Sequence, residues 1–398
     1  MGELLTVEAA QHAVLARVRS LPSERVRLED AAGRFLVEDA RAVVDLPPFP
    51  SSAMDGFALR AADTPGTLRV VARVAAGIPS DHELRAGETA AIATGGVVPA
   101  GADAVIPIEH VVVDGNRVQV PSSVAVGANV RPRGGDVAAG EVVVARGTRL
   151  GPPQLAALAA AGLVEAGCGT RPRVAVLTTG TELRAPGQPL RPGEVYEANG
   201  VLLASAAAAC GGAVTRLAPV ADDEAAHRGA LEQGLEVDVL VTSGGVSVGQ
   251  HDLVRGVEAE LGVEEVFWGV AVKPGKPISF GLRGRTLVFG LPGNPVSSLV
   301  GFVLFVKPAL LALQGAAEPL PPLELGRLAA AVRRNAQRDE YLRARMRLDR
   351  DGVLLEPVTG QESHMIARAA AAEALVLAPR GEGELAVGAQ VRFLRWLL

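Results

Sequence analysis

Between residues 172 and about 315, apolar runs of strand length alternate with segments of helix length. RVAVLTTG precedes a helix near 199–210, VTRLAPV a helix begun by Asp222, and DVLVTSGG a helix after Asp252; three more strands and a last helix from Asn294 follow. Strands joined through helices of that length run parallel, so the stretch predicts a doubly wound, mainly parallel sheet. Open sheets of this kind hold ligands beyond the carboxyl ends of their strands, where loops vary without disturbing the core.

The flanking sequence has a different texture. The first 40 residues carry helical spacing in VEAAQHAVLARV and predict a second short helix around LEDAAGRFLVEDA. DLPPFPSSA at 45–53 breaks that pattern with three prolines and predicts an exposed, extended segment. From about 67 to 130 the pieces are short and β-rich, with DGN at 114–116 as a hairpin turn; GPPQLAALAAAGL at 151–163 returns to helix, with proline in the first turn. EPLPP at 318–322 reads as a linker before a last small β domain. The expected organisation is a helical domain in two parts, 1–45 and 136–170, around an inserted β domain, 46–135, then an α/β domain, 171–317, and a C-terminal β domain, 323–398.

Composition narrows the class. With 48% hydrophobic and 21% charged residues the chain of 398 residues reads as well-packed globular domains. A formal net charge of -5 gives no reason to expect a nucleic-acid partner. Two cysteines, Cys168 and Cys210, make neither a disulfide framework nor a metal motif and fit a reducing cytoplasm. The most apolar run, 299–306, stops at Lys307 and Pro308, short of the ~20 residues of a membrane span. No membrane is expected.

Three loops at strand ends carry the chemistry: TTGTE at 178–182, TSGGVSVGQHD at 242–252 and GLPGNPVSS at 290–298. Each is placed to open a helix, and their glycines let main-chain N–H groups approach an anion. Asn294 is positioned to cap a helix, with Pro295 in its first turn. No G-x-G-x-x-G follows a strand, and KPGKP at 273–277 lacks a Walker A frame, so a phosphate here is held in neither standard fashion. Lys273 and Lys276 form a cation pair in that turn that either attracts an oxyanion or tips a solvated hairpin. Glu182, Asp222 and Asp252 beside phosphate-binding loops imply a bridging hard cation such as Mg²⁺, although Asp222 and Asp252 could also be helix caps. No histidine spacing or nucleophile elbow points to covalent catalysis.

PPFPSSAMDGFALR at 47–60, ATGGVVPAGADAVIPIE at 93–109, RPRGGDV at 131–137, TTGTEL, TSGGVSVGQHD, KPGKP and GLPGNPVSS, in this order, resemble the molybdopterin molybdenumtransferase family (MoeA type), which includes the gephyrin E domain. The resemblance runs from about residue 5 to 395. It implies a four-part subunit ending in a C-terminal β barrel. It also implies a homodimer in which the inserted β domain of one subunit faces the α/β domain of the other. The implied reaction inserts molybdate into adenylylated molybdopterin, releasing AMP, with Mg²⁺ required. The implied partners are the molybdopterin adenylyltransferase and cofactor-accepting enzymes.

Carried onto this chain, the resemblance assigns catalysis to Asp55, Glu182 and Asp252, and metal binding to Glu182, Asp222 and Asp252. Substrate binding falls to Thr94, Arg131, Asp136, Ser243, Gly244, Gly245, Ser247, Lys273, Lys276, Pro292, Asn294 and Pro295. Departures from the family pattern are Gly269 where a lysine is common, Gln250 and Thr181 where acids are common, and an alanine-rich stretch after Ser363 and His364. A non-catalytic molybdopterin-binding scaffold and the preceding adenylyl transfer are the alternatives. The insertion at 45–140 argues against the second, and the acids and lysines argue against the first.

Overall fold

The computed structural model describes residues 4–221, 223–245 and 253–396. Its central sheet has six strands. Ala213–Arg216, Arg173–Thr178, Val239–Ser243 and Thr286–Leu291 run parallel in that spatial order, and Ser279–Arg283 and Glu264–Trp268 extend the sheet antiparallel. The doubly wound expectation therefore holds for four strands. Ser279–Arg283 is joined to its neighbour Thr286–Leu291 by a tight turn at 284–285, too short for a crossover helix.

The last helical stretch departs from the sequence reading. The apolar run does not stop at Lys307 and Pro308: helix Pro295–Gly301 continues through a π-helical turn, Phe302–Val306, into Lys307–Leu313. Proline is tolerated because the wider turn lets the Lys307 N–H reach the Phe302 carbonyl. The Leu304 carbonyl, four residues before the missing N–H, accepts a 3.0 Å bond from the Gln11 side chain. These 19 residues are apolar and long enough to pass for a membrane span, but 78% of the most apolar window is buried inside the protein.

The N-terminal helix Val7–Leu15 buries Val7, Ala10 and Val14 in the same core as Phe302, Phe305 and Leu310. It thus packs with the α/β domain. The remainder of the discontinuous unit is mixed rather than helical. Strand Ser23–Arg27 pairs antiparallel with Glu165–Gly169, Val142–Val144 pairs with Ala40–Arg41, and the principal helix is Pro152–Ala160. The second helix expected around 28–40 reduces to one 3-10 turn, Leu28–Asp30. Gly33, at a φ of +77°, turns the chain there so that Leu36 can bridge to Cys168.

The inserted domain is a six-stranded sheet, and 45–53 is not all exposed. Ser51 and Ser52 are buried and form a short ladder with Val130–Arg131. The hairpin at 114–117 forms as expected. At the C-terminus five strands, Glu324–Leu328, Asp339–Asp349, Gly352–Pro357, Ala374–Ala378 and Gln390–Arg395, close into a barrel, because Asp339–Asp349 pairs at both ends of the series. A sixth, Val272–Lys273, joins it from the α/β domain.

Candidate functional site

Strand register builds the site. Thr178, Ser243 and Leu291 are laterally paired neighbours, so the three loops predicted to act together leave adjacent parallel strands at one edge. The Thr179 N–H bonds to the Ser243 carbonyl at 3.0 Å and the Gly244 N–H to the Leu291 carbonyl at 3.1 Å, which extends the ladder into the loops. Gly244 adopts a φ of +99°, and a Cβ there would lie 2.6 Å from the Thr179 carbonyl oxygen. Only glycine lets these two loops touch. A Cβ on Gly293 would in turn sit 3.8 Å from the Gly244 Cα, so the third loop closes on the second.

The interior of the cluster is polar and ordered. Asn199, nearly buried, donates at 2.8 Å to the Ser243 hydroxyl and at 2.7 Å to the Gly293 carbonyl. The Ser243 hydroxyl donates to the Pro292 carbonyl at 3.1 Å and sits 3.2 Å from the Ser298 hydroxyl. Ser243 and Pro292, expected to touch substrate, are therefore buried struts that fix the loops from behind. Gly244 offers no free amide either. The donors without an acceptor among the described residues are the N–H groups of Gly245, Gly293 and Asn294, grouped where helix Pro295–Gly301 begins.

Asn294 occupies the N-cap position, but its side chain makes no cap bond. It donates instead to the Ser363 hydroxyl at 2.9 Å, and the Ser363 carbonyl accepts the Val296 N–H at 3.1 Å. The C-terminal domain thus supplies the helix cap. Arg343, almost fully buried, holds that loop through the carbonyls of Gly360, Glu362 and Met365, and burial pushes its guanidinium below its usual range.

The lysine turn is no hairpin tip. Val272 and Lys273 pair with Asp339 and Glu340 of the barrel, and the Lys273 ammonium lies 2.9 Å from the buried Glu340 carboxylate. A Cβ on Gly275 would come within 3.4 Å of the Ser297 carbonyl oxygen, which places the turn against the third loop. Lys276 has no carboxylate partner among the described residues. Beside Lys273 opens a cavity of about 450 Å³ lined also by Arg333, Arg334 and Gln361.

The acids divide. Glu182 is exposed, with its carboxylate against Gly180, on a loop that leads through the two-stranded ladder Leu183–Arg184 and Val195–Tyr196 rather than directly into a helix. Three prolines and two glycines between 185 and 193 explain that detour. Asp222, Asp252 and Ser247 lie outside the described residues. The N-cap of helix Glu224–Gly234 is Asp223, whose carboxylate accepts the Ala226 N–H at 2.9 Å, so the helix expected to begin at Asp222 is capped at the next residue. Among the described residues no group of three or more His, Cys, Asp or Glu could hold a metal.

In the inserted domain Asp55 accepts the Thr94 N–H, and both residues are exposed. That backbone bond, then the Thr94 hydroxyl, holds the Asp55 carboxyl below its ordinary range. Arg131, on a short ladder at the same domain's edge, and Asp136, just beyond it, are exposed. Two residues escaped the sequence reading. The Thr179 hydroxyl is buried with no hydrogen-bond partner among the described residues, and so is the Asn199 side-chain carbonyl. Their only sequence signal is adjacency to strand ends and helix starts.

Family models match the chain in three consecutive segments: the MoeA N-terminal region (domain I and II) over 5–162, a probable molybdopterin binding domain over 175–312, and the MoeA C-terminal region (domain IV) over 326–396. Molybdopterin molybdenumtransferase 2 of Mycobacterium tuberculosis is 35% identical over 97% of this chain and 98% of its own. Molybdopterin molybdenumtransferase of Haemophilus influenzae is 32% identical over 98% of each. The crystal structure of the molybdopterin biosynthesis MoeA protein from Pyrococcus horikoshii OT3 superposes with a TM-score of 0.87 at 28% identity, over 99% of this chain and 100% of that one. With the ordered motifs, the closed barrel and the three-loop strand edge in place, this chain belongs to the MoeA family of molybdopterin molybdenumtransferases.

Proposed function

We propose that this protein inserts molybdate into adenylylated molybdopterin, with release of AMP. The observation that carries the reading is the convergence of three glycine loops and a lysine turn at one edge of the sheet, with the N–H groups of Gly245, Gly293 and Asn294 unmatched among the described residues. Those amides and Pro295, at the start of its helix, are suited to the pyrophosphate of the substrate. Lys276, without a carboxylate partner, and Lys273, shared with Glu340, are suited to a tetrahedral oxyanion. Holding both reactants against one another supplies much of the rate in such a transfer.

Mg²⁺, when bound, would neutralise phosphate charge. The exposed Glu182 carboxylate fits a hard cation, and Asp222 and Asp252 would complete the oxygen set. Asp55, Thr94 and Arg131 lie exposed on the inserted domain and Asp136 at its boundary, and we assign them to the cleft of a second subunit in a homodimer. Two buried, unpaired cysteines accord with a cytoplasmic setting, in which an adenylyltransferase would hand on the substrate and cofactor-accepting enzymes would take the product. Incubation of the purified protein with adenylylated molybdopterin, Mg²⁺ and molybdate should release AMP and yield active cofactor. Intact substrate after prolonged incubation would favour a binding scaffold.

A further inference from the structure

At the opposite pole of the same sheet lies a partly enclosed cavity of about 640 Å³. Its floor is the amino ends of the parallel strands: Arg173 opens one, Asp238 precedes the next, and Thr286 opens the third. Strands of five or six residues rise about 3.3 Å per residue, so roughly 20 Å of sheet separates this cavity from the three loops. One wall comes from the segment after the N-terminal helix, anchored where the Leu21 N–H bonds to the Leu313 carbonyl at 2.8 Å.

The lining is chemically two-sided. Leu235, Leu282, Leu287 and Leu313 supply an apolar surface, while four arginines, Arg17, Arg19, Arg173 and Arg285, outnumber the acids Glu236 and Asp238. Arg173 is paired with Asp238 by a 3.4 Å ion pair and a 2.7 Å main-chain bond to the same carboxylate. Glu236 faces Arg283 at 3.8 Å. Arg17, Arg19 and Arg285 have no carboxylate partner among the described residues. The cavity's acids are thus already matched, and three guanidinium groups are left over in a protein whose net charge is -5. The floor's main chain is satisfied too: the Leu287 N–H bonds to the Asp238 carbonyl, and the Thr286 hydroxyl to the Val237 carbonyl at 2.7 Å. What remains unmatched is positive charge beside an apolar wall, in a volume of small-molecule size.

We propose that this cavity is a second ligand site, separate from the three-loop edge, for a small molecule that joins a phosphate or carboxylate group to an apolar body. Guanidinium forks match both oxyanions in bidentate fashion, and the leucines receive the body. The test is calorimetric titration of the intact protein with phenyl phosphate and, separately, benzoate, with inorganic phosphate as the control lacking an apolar part.

Saturable 1:1 binding of phenyl phosphate or benzoate, with a dissociation constant below about 10 mM and tighter than that of inorganic phosphate, is expected. The stronger of the two probes identifies the preferred oxyanion. Arg19→Ala combined with Arg285→Ala removes exposed side chains and should weaken binding at least about tenfold. Lys276→Ala, at the other pole, should leave it unchanged. No saturable binding of either probe, binding that survives the double arginine variant, or binding lost in Lys276→Ala would overturn the proposal.

Discussion

Thr179 shows how a residue's role is set by neighbours that its own sequence context does not reveal. TTGTE announces a loop, but only the register of Thr178 with Ser243 buries the Thr179 hydroxyl behind Gly244, where it has no partner among the described residues. A buried hydroxyl left unbonded costs about 1–3 kcal/mol. Thr179→Val should therefore leave the thermal midpoint unchanged or raise it, while weakening binding of adenylylated molybdopterin by roughly tenfold if the hydroxyl serves the ligand. Calorimetry and a binding titration on the same variant separate the two effects, and a lower midpoint with intact binding would assign Thr179 to structure alone.

Asp55 offers a pH test at the same scale. Its folded carboxyl lies below the ordinary 3.8, chiefly through the Thr94 N–H and then the Thr94 hydroxyl. A carboxyl depressed by folding contributes stability that is present above 3.8 and is lost as pH falls through the lowered value. In a carbon-detected NMR titration Thr94→Ala should move the Asp55 midpoint part of the way back towards 3.8, since the backbone donor remains. A midpoint that does not move would mean the hydroxyl plays no part. The glycines announced loops that approach one another closely, as Gly244 and Gly293 do, whereas the inward turn of Ser243 was not legible. A serine hydroxyl after a strand looks the same in sequence whether it meets ligand or a carbonyl such as that of Pro292.

Elements were legible where their pattern was long. The alternation from 172 onward predicted the parallel strands and the helices between them, because buried strands and crossover helices both leave strong apolar signatures. Short or proline-interrupted elements were not. The segment at 28–40 has apolar spacing that suits a helix, yet Gly33 and the pairing of Leu36 with Cys168 decide otherwise through contacts distant in sequence. In the sequence the apolar run stops at Lys307 and Pro308, yet the helix continues, and the remedy for the missing proline N–H comes from another helix: Gln11 serves the Leu304 carbonyl. Gln11→Ala should accordingly lower stability by about 1 kcal/mol in denaturant melts. Repeated in a Pro308→Ala background, where a main-chain N–H is restored, the same change should cost less. Equal losses in both backgrounds would detach Gln11 from the proline.

Across the whole molecule, the site is assembled from domains that lie well apart in sequence, with Asn294 and Ser363 69 residues from one another. The helix at Pro295 is capped by Ser363 of the C-terminal domain, Lys273 is paired with Glu340 of the barrel, and the N-terminal helix completes the α/β core. The barrel followed from the resemblance. The shared contacts were not legible, because they depend on how the domains dock. Pairing with Glu340 shares the Lys273 charge with a buried acid, so Lys276 is left as the freer cation of the turn.

The most direct measurement is the molybdate dependence of AMP release, compared between the wild-type protein and the variants Lys276→Ala and Lys273→Ala. The half-saturating molybdate concentration should rise at least about tenfold on loss of Lys276, as expected for one charged contact, with a smaller rise for Lys273. A molybdate response unchanged in both variants would show that the lysine turn does not receive the oxyanion.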